Sequence, residues 1–212
     1  MLKLFFLLII NIIFSVNSFS QNKGTFTDPR DKKLYKTITI GKQTWMAQNL
    51  NYTTASDSWC YENDPKNCNV YGRLYNWYII MQGAKSNNTI PGKVRGICPV
   101  GWHIPSDAEW DILAHYLGEK EIAGSKMKEP GIKWWTNPNV GATNISGFSG
   151  LPGGGRYVDG SFIYIGTNAT FWSSTEKDAA KAYYRYLYHS STELKRYYSK
   201  KSIGFSVRCI KG

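Results

Sequence analysis

Every cysteine in this chain lies downstream of an apolar leading segment, and that arrangement limits the fold more than any other feature. Met1-Leu2-Lys3 gives a short positive start, and Leu4 to Val16 is apolar except for Asn11 and Ser15. Ser18-Phe19-Ser20 then supplies a small-x-small pattern before Gln21. This organisation predicts a secretory signal peptide over residues 1–20. A membrane span needs roughly 20 apolar residues; this stretch is shorter and is broken by Asn11. No cysteine precedes Cys60, so a lipoprotein anchor at the signal junction is not expected. No later stretch is apolar enough to span, and the expected product is soluble, secreted or held in the cell envelope. Four cysteines in an oxidising compartment can close two bridges, Cys60, Cys68, Cys98 and Cys209 allowing three pairings.

With 212 residues the chain can bury a sizeable core. Its 42% hydrophobic content is too high for a disordered chain, and 20 Gly with 8 Pro are too few for a collagen-like one. Eight Trp and fifteen Tyr are the unusual entrants, and such side chains either fill a β-rich core or serve as ligand platforms. The formal net charge is +11, and signal cleavage would remove only Lys3 from that count. The basic groups are spread in pairs such as Lys32-Lys33, Lys195-Arg196 and Lys200-Lys201, which reads as a solvated surface. Export argues against a nucleic-acid partner.

Along the mature chain, residues 21–29 read as a polar lead-in and residues 30–212 as one domain. Leu34 to Ile40 alternates, Gly41-Lys42 follows, and Gln43 to Met46 completes a β-hairpin. Residues 51–70 read as a polar loop carrying Cys60 and Cys68. Leu74, Trp77, Tyr78 and Met81 have helical spacing, closed by Gly83. The clearest local signal is Ser106-Asp107-Ala108-Glu109, a capping box opening a helix that Gly118 ends. Residues 124–170 are loop-rich, and Tyr183–Tyr188, Leu194–Tyr198 and Ile203–Ile210 read as closing strands. The class is α+β, with two helices, small antiparallel sheets and a long loop region.

Five blocks resemble a known family. They are Val70-Tyr71-Gly72-Arg73-Leu74-Tyr75-Asn76-Trp77, the run from Cys98 to Trp110, Gly147-Phe148-Ser149 with Leu151-Pro152-Gly153-Gly154, Phe171-Trp172-Ser173-Ser174-Thr175, and Gly204-Phe205-Ser206-Val207-Arg208-Cys209. In this order they are similar to the Fibrobacter succinogenes major paralogous domain, which implies an exported bacterial protein. More loosely, the closing block is similar to C-type-lectin-like and formylglycine-generating folds. That analogy implies a single C-type-lectin-like domain in which Cys98 bridges Cys209, leaving Cys60 and Cys68 to close locally. Formylglycine-generating enzymes use a cysteine pair near the C-terminus, whereas only Cys209 lies there. Asn137-Pro138-Asn139 and Trp172-Ser173-Ser174 stand where calcium-dependent lectins place carboxylates, so no calcium site is implied, because a hard cation needs charged oxygen ligands.

Hydrolase and phosphate-loop signals are absent. Gly150 to Gly155 lacks the Lys-Ser/Thr ending of a P-loop, and Gly147-Phe148-Ser149-Gly150 misses the nucleophile-elbow spacing. His103, His115 and His189 are scattered, and no cofactor or metal is expected. Trp45, Trp77, Trp102, Trp110 and Trp172 sit in periodic or family-like blocks and read as core. Trp134 and Trp135 are adjacent in the loop-rich region, where neighbours in an extended segment point opposite ways. With Tyr157 and Tyr164 they form the candidate ligand-binding set. The functional expectation is an exported, non-catalytic binding module for an extracellular or cell-surface ligand, a polysaccharide or a surface protein. A structural or adhesive surface protein is the first alternative, and an enzyme of formylglycine-generating-like fold lacking the cysteine pair is the second.

Overall fold

A computed structural model describes residues 22–212; the leader assigned to residues 1–20 lies outside the described residues. The segment expected to be a lead-in is instead a strand, β1 (Asn22–Thr27), paired antiparallel with β2 (Leu34–Ile40) along its whole length. Its side chains are almost all exposed, so no apolar alternation announces it; the ladder hydrogen bonds hold it at the sheet edge, with the Phe26 ring packed against Trp102 at 5.2 Å between centroids. Gly41, at φ 61°, turns the chain into β3 (Gln43–Met46), as the hairpin signal predicts.

The supposed polar loop at 51–70 holds more structure than its composition suggests. After β4 (Ser58–Trp59), Asp64 caps α1 (Pro65–Tyr71) by accepting from the Lys66 amide, with Pro65 in the first turn. Cys60 and Cys68 are joined there. The next helix starts later than its spacing predicts. Leu74 belongs to β5 (Leu74–Tyr75), and Asn76 caps α2 (Trp77–Met81) by accepting from the Ile79 amide. β6 (Trp102–His103) precedes α3 (Asp107–Tyr116), where both arms of the capping box are made. A further helix, α4 (Lys120–Met127), follows Gly118, giving four α-helices among the described residues where two were expected.

The loop-rich expectation holds for residues 128–152 and fails beyond them. β7 (Gly153–Arg156) and β8 (Phe162–Ile165) form a hairpin, followed by the long strands β9 (Asn168–Glu176), β10 (Lys181–Tyr188) and β11 (Lys195–Lys200). The final strand splits into β12 (Phe205–Ser206) and β13 (Ile210–Lys211), which enter different sheets. One sheet has the order β1-β2-β3-β13-β6, and the other β11-β10-β9-β12-β5-β4, with β7 also pairing β8 and β9. The class is α+β.

Two aromatic clusters fill the interior. Around one disulfide, Tyr75, Trp77, Trp172 and Phe205 pack with Cys98 and Cys209, and the two cysteines are bonded across a separation of 111 residues. In the other, Trp45, Trp110, Phe148 and Phe171 meet ring to ring, Trp45 and Trp110 with centroids 4.7 Å apart. The five tryptophans expected in the core are all there. A bridge closing so long a loop stabilises by roughly 4–5 kcal/mol on the chain-entropy account. No helix among the described residues is long and apolar enough to cross a membrane.

Candidate functional site: a tyrosine face

The four aromatic residues singled out from sequence do not act together. Trp135 is 1% exposed, packed in the second core cluster, with its indole Nε1 donating to the Gly150 carbonyl at 3.1 Å. It is core and cannot be a ligand contact. One of the two rings is buried and the other half-buried, although residues 131–135 form bends and not an extended strand. Trp134 is half-buried, its ring edge-on to Tyr71 and covered by the Lys133 ammonium at 4.7 Å. Tyr157 and Tyr164 stand on another surface, 39% and 54% exposed, their hydroxyl oxygens 3.5 Å apart.

That surface is built by the paired strands β10 and β11 with the β7–β8 hairpin. On β10, Arg185 and Leu187 turn inward while Tyr184, Tyr186 and Tyr188 share the opposite face. Tyr197 lies opposite Tyr184 in the ladder, and Lys195 opposite Tyr186. The Tyr184 ring sits 5.8 Å from Tyr186 and 6.4 Å from Tyr197, and the Lys195 ammonium lies 5.9 Å from the Tyr186 ring. Tyr164, Thr167, Asn168, Tyr186, Tyr188 and Lys195 line a shallow hollow in this face. The side-chain oxygen Oδ1 of Asn168 is buried there without a hydrogen-bond partner. Burial, and then the neighbouring Tyr186, Tyr197, Tyr157 and Tyr164, push the Tyr184 hydroxyl well above its ordinary value. The Tyr184 hydroxyl therefore remains a protonated donor at neutral pH.

The glycine-rich segment explains how the hairpin reaches this position. Gly154, at φ 66°, lies so close to β8 that a Cβ would stand 2.2 Å from the Ile163 carbonyl oxygen. Its own carbonyl accepts from the Thr170 hydroxyl at 2.6 Å, tying β7 to β9. Tyr164 itself has φ 64°, an outlying conformation for a bulky residue, held by Thr167, whose amide and hydroxyl both donate to the Tyr164 carbonyl. Backbone strain thus keeps an exposed aromatic ring on the face. Tyr184, Tyr186 and Tyr197 do not stand out in the sequence. Their period-2 spacing was visible, but Arg185 on the inward side hides the alternation.

Several groups of the kind used in catalysis are engaged in structural pairs. His103 Nε2 contacts both oxygens of Glu109 at 2.9 and 3.1 Å, and Glu109 also accepts from the amides of Gly92 and Ser106. Burial raises the Glu109 carboxyl, but His103 and these amides outweigh it and hold the group below its ordinary value. Asp107 accepts from Arg185 and Arg196, each at 2.6 Å. His115 pairs with Glu119 on the helix surface. Both cysteine pairs are oxidised.

The sequence matches the family model of the Fibrobacter succinogenes major domain over residues 38–211. The chain belongs to that family. No curated protein matches the chain, and no solved structure matches it. In this Fibrobacter succinogenes major domain the five family-like blocks make the frame. They supply the bridged cysteines, the α3 cap, Phe148, Phe171, Trp172 and Phe205 of the core, and the glycines under β8. Tyr157, Tyr164, Tyr184, Tyr186 and Tyr197 all lie between the blocks, so the family frame and the candidate site are different sets of residues.

Proposed function

We propose that this Fibrobacter succinogenes major domain is an exported, non-catalytic binding module, and that its ligand is an extracellular or cell-surface polysaccharide held on the tyrosine face. One observation carries the reading: β8, β9, β10 and β11 converge to place exposed Tyr164 and half-buried Tyr186 and Tyr188 around an amide oxygen that has no partner among the described residues. Sugar rings carry apolar C–H faces that stack on aromatic rings, and hydroxyls that an amide oxygen, phenols and a lysine can bond. The two disulfides are consistent with an oxidising, exported setting. The Cys98–Cys209 bridge supports the wider likeness to C-type-lectin-like folds, since it ties the segment before α3 to the last strands. The engagement of Glu109, Asp107 and His103 in structural pairs favours binding over catalysis. A glycan array probed with the mature chain is the test. Neutral glycans should be retained, and Tyr164→Ala or Tyr186→Ala should weaken retention by about 2 kcal/mol with little change in melting. An array with no hits, or variants that bind as the parent does, would sink the reading and favour a structural or adhesive role.

A further inference from the structure

A second concave surface lies along β2 and β3, away from the tyrosine rings just described, and its chemistry is different. Three adjoining hollows form one groove. The central one is lined by Lys36, Asn49, Glu129, Trp134, Ser149 and Arg208, among others. It shares Gln48, Asn49 and Val70 with a hollow that runs on to Lys33, Asn51 and Asn69. On the other side it shares Lys36, Ala47 and Ser149 with one that continues to Lys23 and Asn144.

Cations outnumber anions along this groove. Arg208 is 1% exposed, and its guanidinium bonds only neutral groups: Asn49 Oδ1, from Nε at 3.0 Å and Nη2 at 2.7 Å, and the carbonyls of Phe148 and Ser149. Among the described residues no carboxylate pairs with Arg208, Lys36 or Lys23. Lys33 is paired with Asp31 at 3.2 Å. Glu129 is the one acid in the lining, and Asn144 Nδ2 donates to it at 2.7 Å. Burying a cation without a counter-charge is costly, and the positive potential it leaves beside a concave surface attracts anions. The lining also carries the amides Gln48, Asn49, Asn51, Asn69 and Asn144 and the ring of Trp134, which suit hydroxyls and sugar rings, among smaller and apolar side chains.

We infer that this groove binds an extended anionic polysaccharide, its charges being uronate carboxylates or sulfate esters. Lys36 and Lys23 meet the anionic groups, Arg208 supplies the field from below, and Gln48 and Asn69 bond the hydroxyls, while Asn49 holds Arg208 in place. The inference goes beyond the tyrosine-face reading and does not depend on it.

Affinity electrophoresis of the mature chain through gels containing polygalacturonate, dextran sulfate or neutral dextran tests it. One or both anionic polymers should retard the protein, and which one does so identifies the anion. The Lys23→Gln, Lys36→Gln double variant should lose about tenfold in affinity. The Lys181→Gln, Lys200→Gln variant removes the same charge from β10 and β11 and should lose almost nothing. Tyr164→Ala should leave retardation by the anionic polymers unchanged, which separates this groove from the tyrosine face. Retardation by neither anionic polymer would overturn the inference. So would an equal loss in the β10–β11 control, or binding of poly-glutamate as tight as that of the polysaccharide. Melting of each variant confirms that the fold is intact.

Discussion

Two regions of the molecule bury cations, and they do it by opposite means. At the start of α3 the cations meet carboxylates: Arg185 bonds Asp107 and Asp111, and Arg196 bonds the second oxygen of Asp107. In the irregular segment 128–152 and beside it the cations meet neutral oxygens. Lys128, fully buried, donates to the carbonyls of Val140, Tyr188 and Ser191, and Arg208 to those of Phe148 and Ser149. A helix N-terminus already wants acids, so the first region gathers charge pairs around a regular element. A segment without regular structure leaves carbonyls unpaired, and a buried ammonium or guanidinium satisfies several of them at once. The first arrangement positions a helix; the second gives a loop its shape. Burial pulls the Lys128 ammonium down to about 8 and the Arg208 guanidinium to about 9, which marks the cost of the second arrangement.

The largest test of this contrast is Asp107→Asn. It leaves Arg185 buried with Asp111 as its remaining acid, and should cost about 4 kcal/mol in denaturant unfolding. A loss under about 1 kcal/mol would show that the cluster at α3 is not a charge-paired hub.

Lys128→Met should cost about 2 kcal/mol near neutral pH, since it leaves three carbonyls unpaired while removing the desolvation of a charge. Its sharper signature is pH dependence. The folded value lies below the ordinary lysine value of about 10.4, so between about 8 and 10 the unfolded chain holds more protons at this site. Stability contributed by Lys128 therefore rises with pH across that window. Melting curves at increasing pH should show this rise in the parent and lack it in the Met variant; identical pH profiles would break the comparison.

The smallest effect is expected at Glu109→Gln, about 1 kcal/mol at neutral pH. The folded Glu109 carboxyl lies below its ordinary value, so its contribution is complete above the unfolded value and is lost as pH falls through the folded one. Acid titration followed by circular dichroism should show the variant less sensitive than the parent. The two regions thus respond to opposite ends of the pH scale.

The α3 region was legible in the sequence because its signal is local. Ser106 and Glu109 stand three residues apart, and the capping box they form follows from that spacing alone. The hairpin at Gly41 was legible for the same reason, and the core tryptophans through the periodic or family-like blocks that hold them. The cation sites of the irregular segment were not. Lys128 meets oxygens near residues 140, 188 and 191, and Arg208 meets Asn49 and Phe148, partners that only the folded chain brings together. The candidate site divides in the same way. Tyr157 and Tyr164 were grouped with Trp134 and Trp135 by nearness in sequence, whereas Tyr184, Tyr186 and Tyr197 join the two tyrosines only through strand pairing. β1 was hidden for a different reason: an exposed edge strand carries no apolar period to read.

The Cys98–Cys209 bond also decides how this domain responds to force. A pull across the two ends of the described chain would run from β1 toward Cys98, cross the sulfur bridge, and leave by β13, bypassing everything between. Tyr157, Tyr164, Tyr184, Tyr186 and Tyr197 all lie inside the bypassed stretch, so tension never reaches their strands while the bond is intact. Lys23 and Lys36 lie outside it, on the strands that would peel first, and so does Asn49 just after β3. Of the two surfaces, the tyrosine face is mechanically sheltered, and the groove along β2 is one that stretching would dismantle.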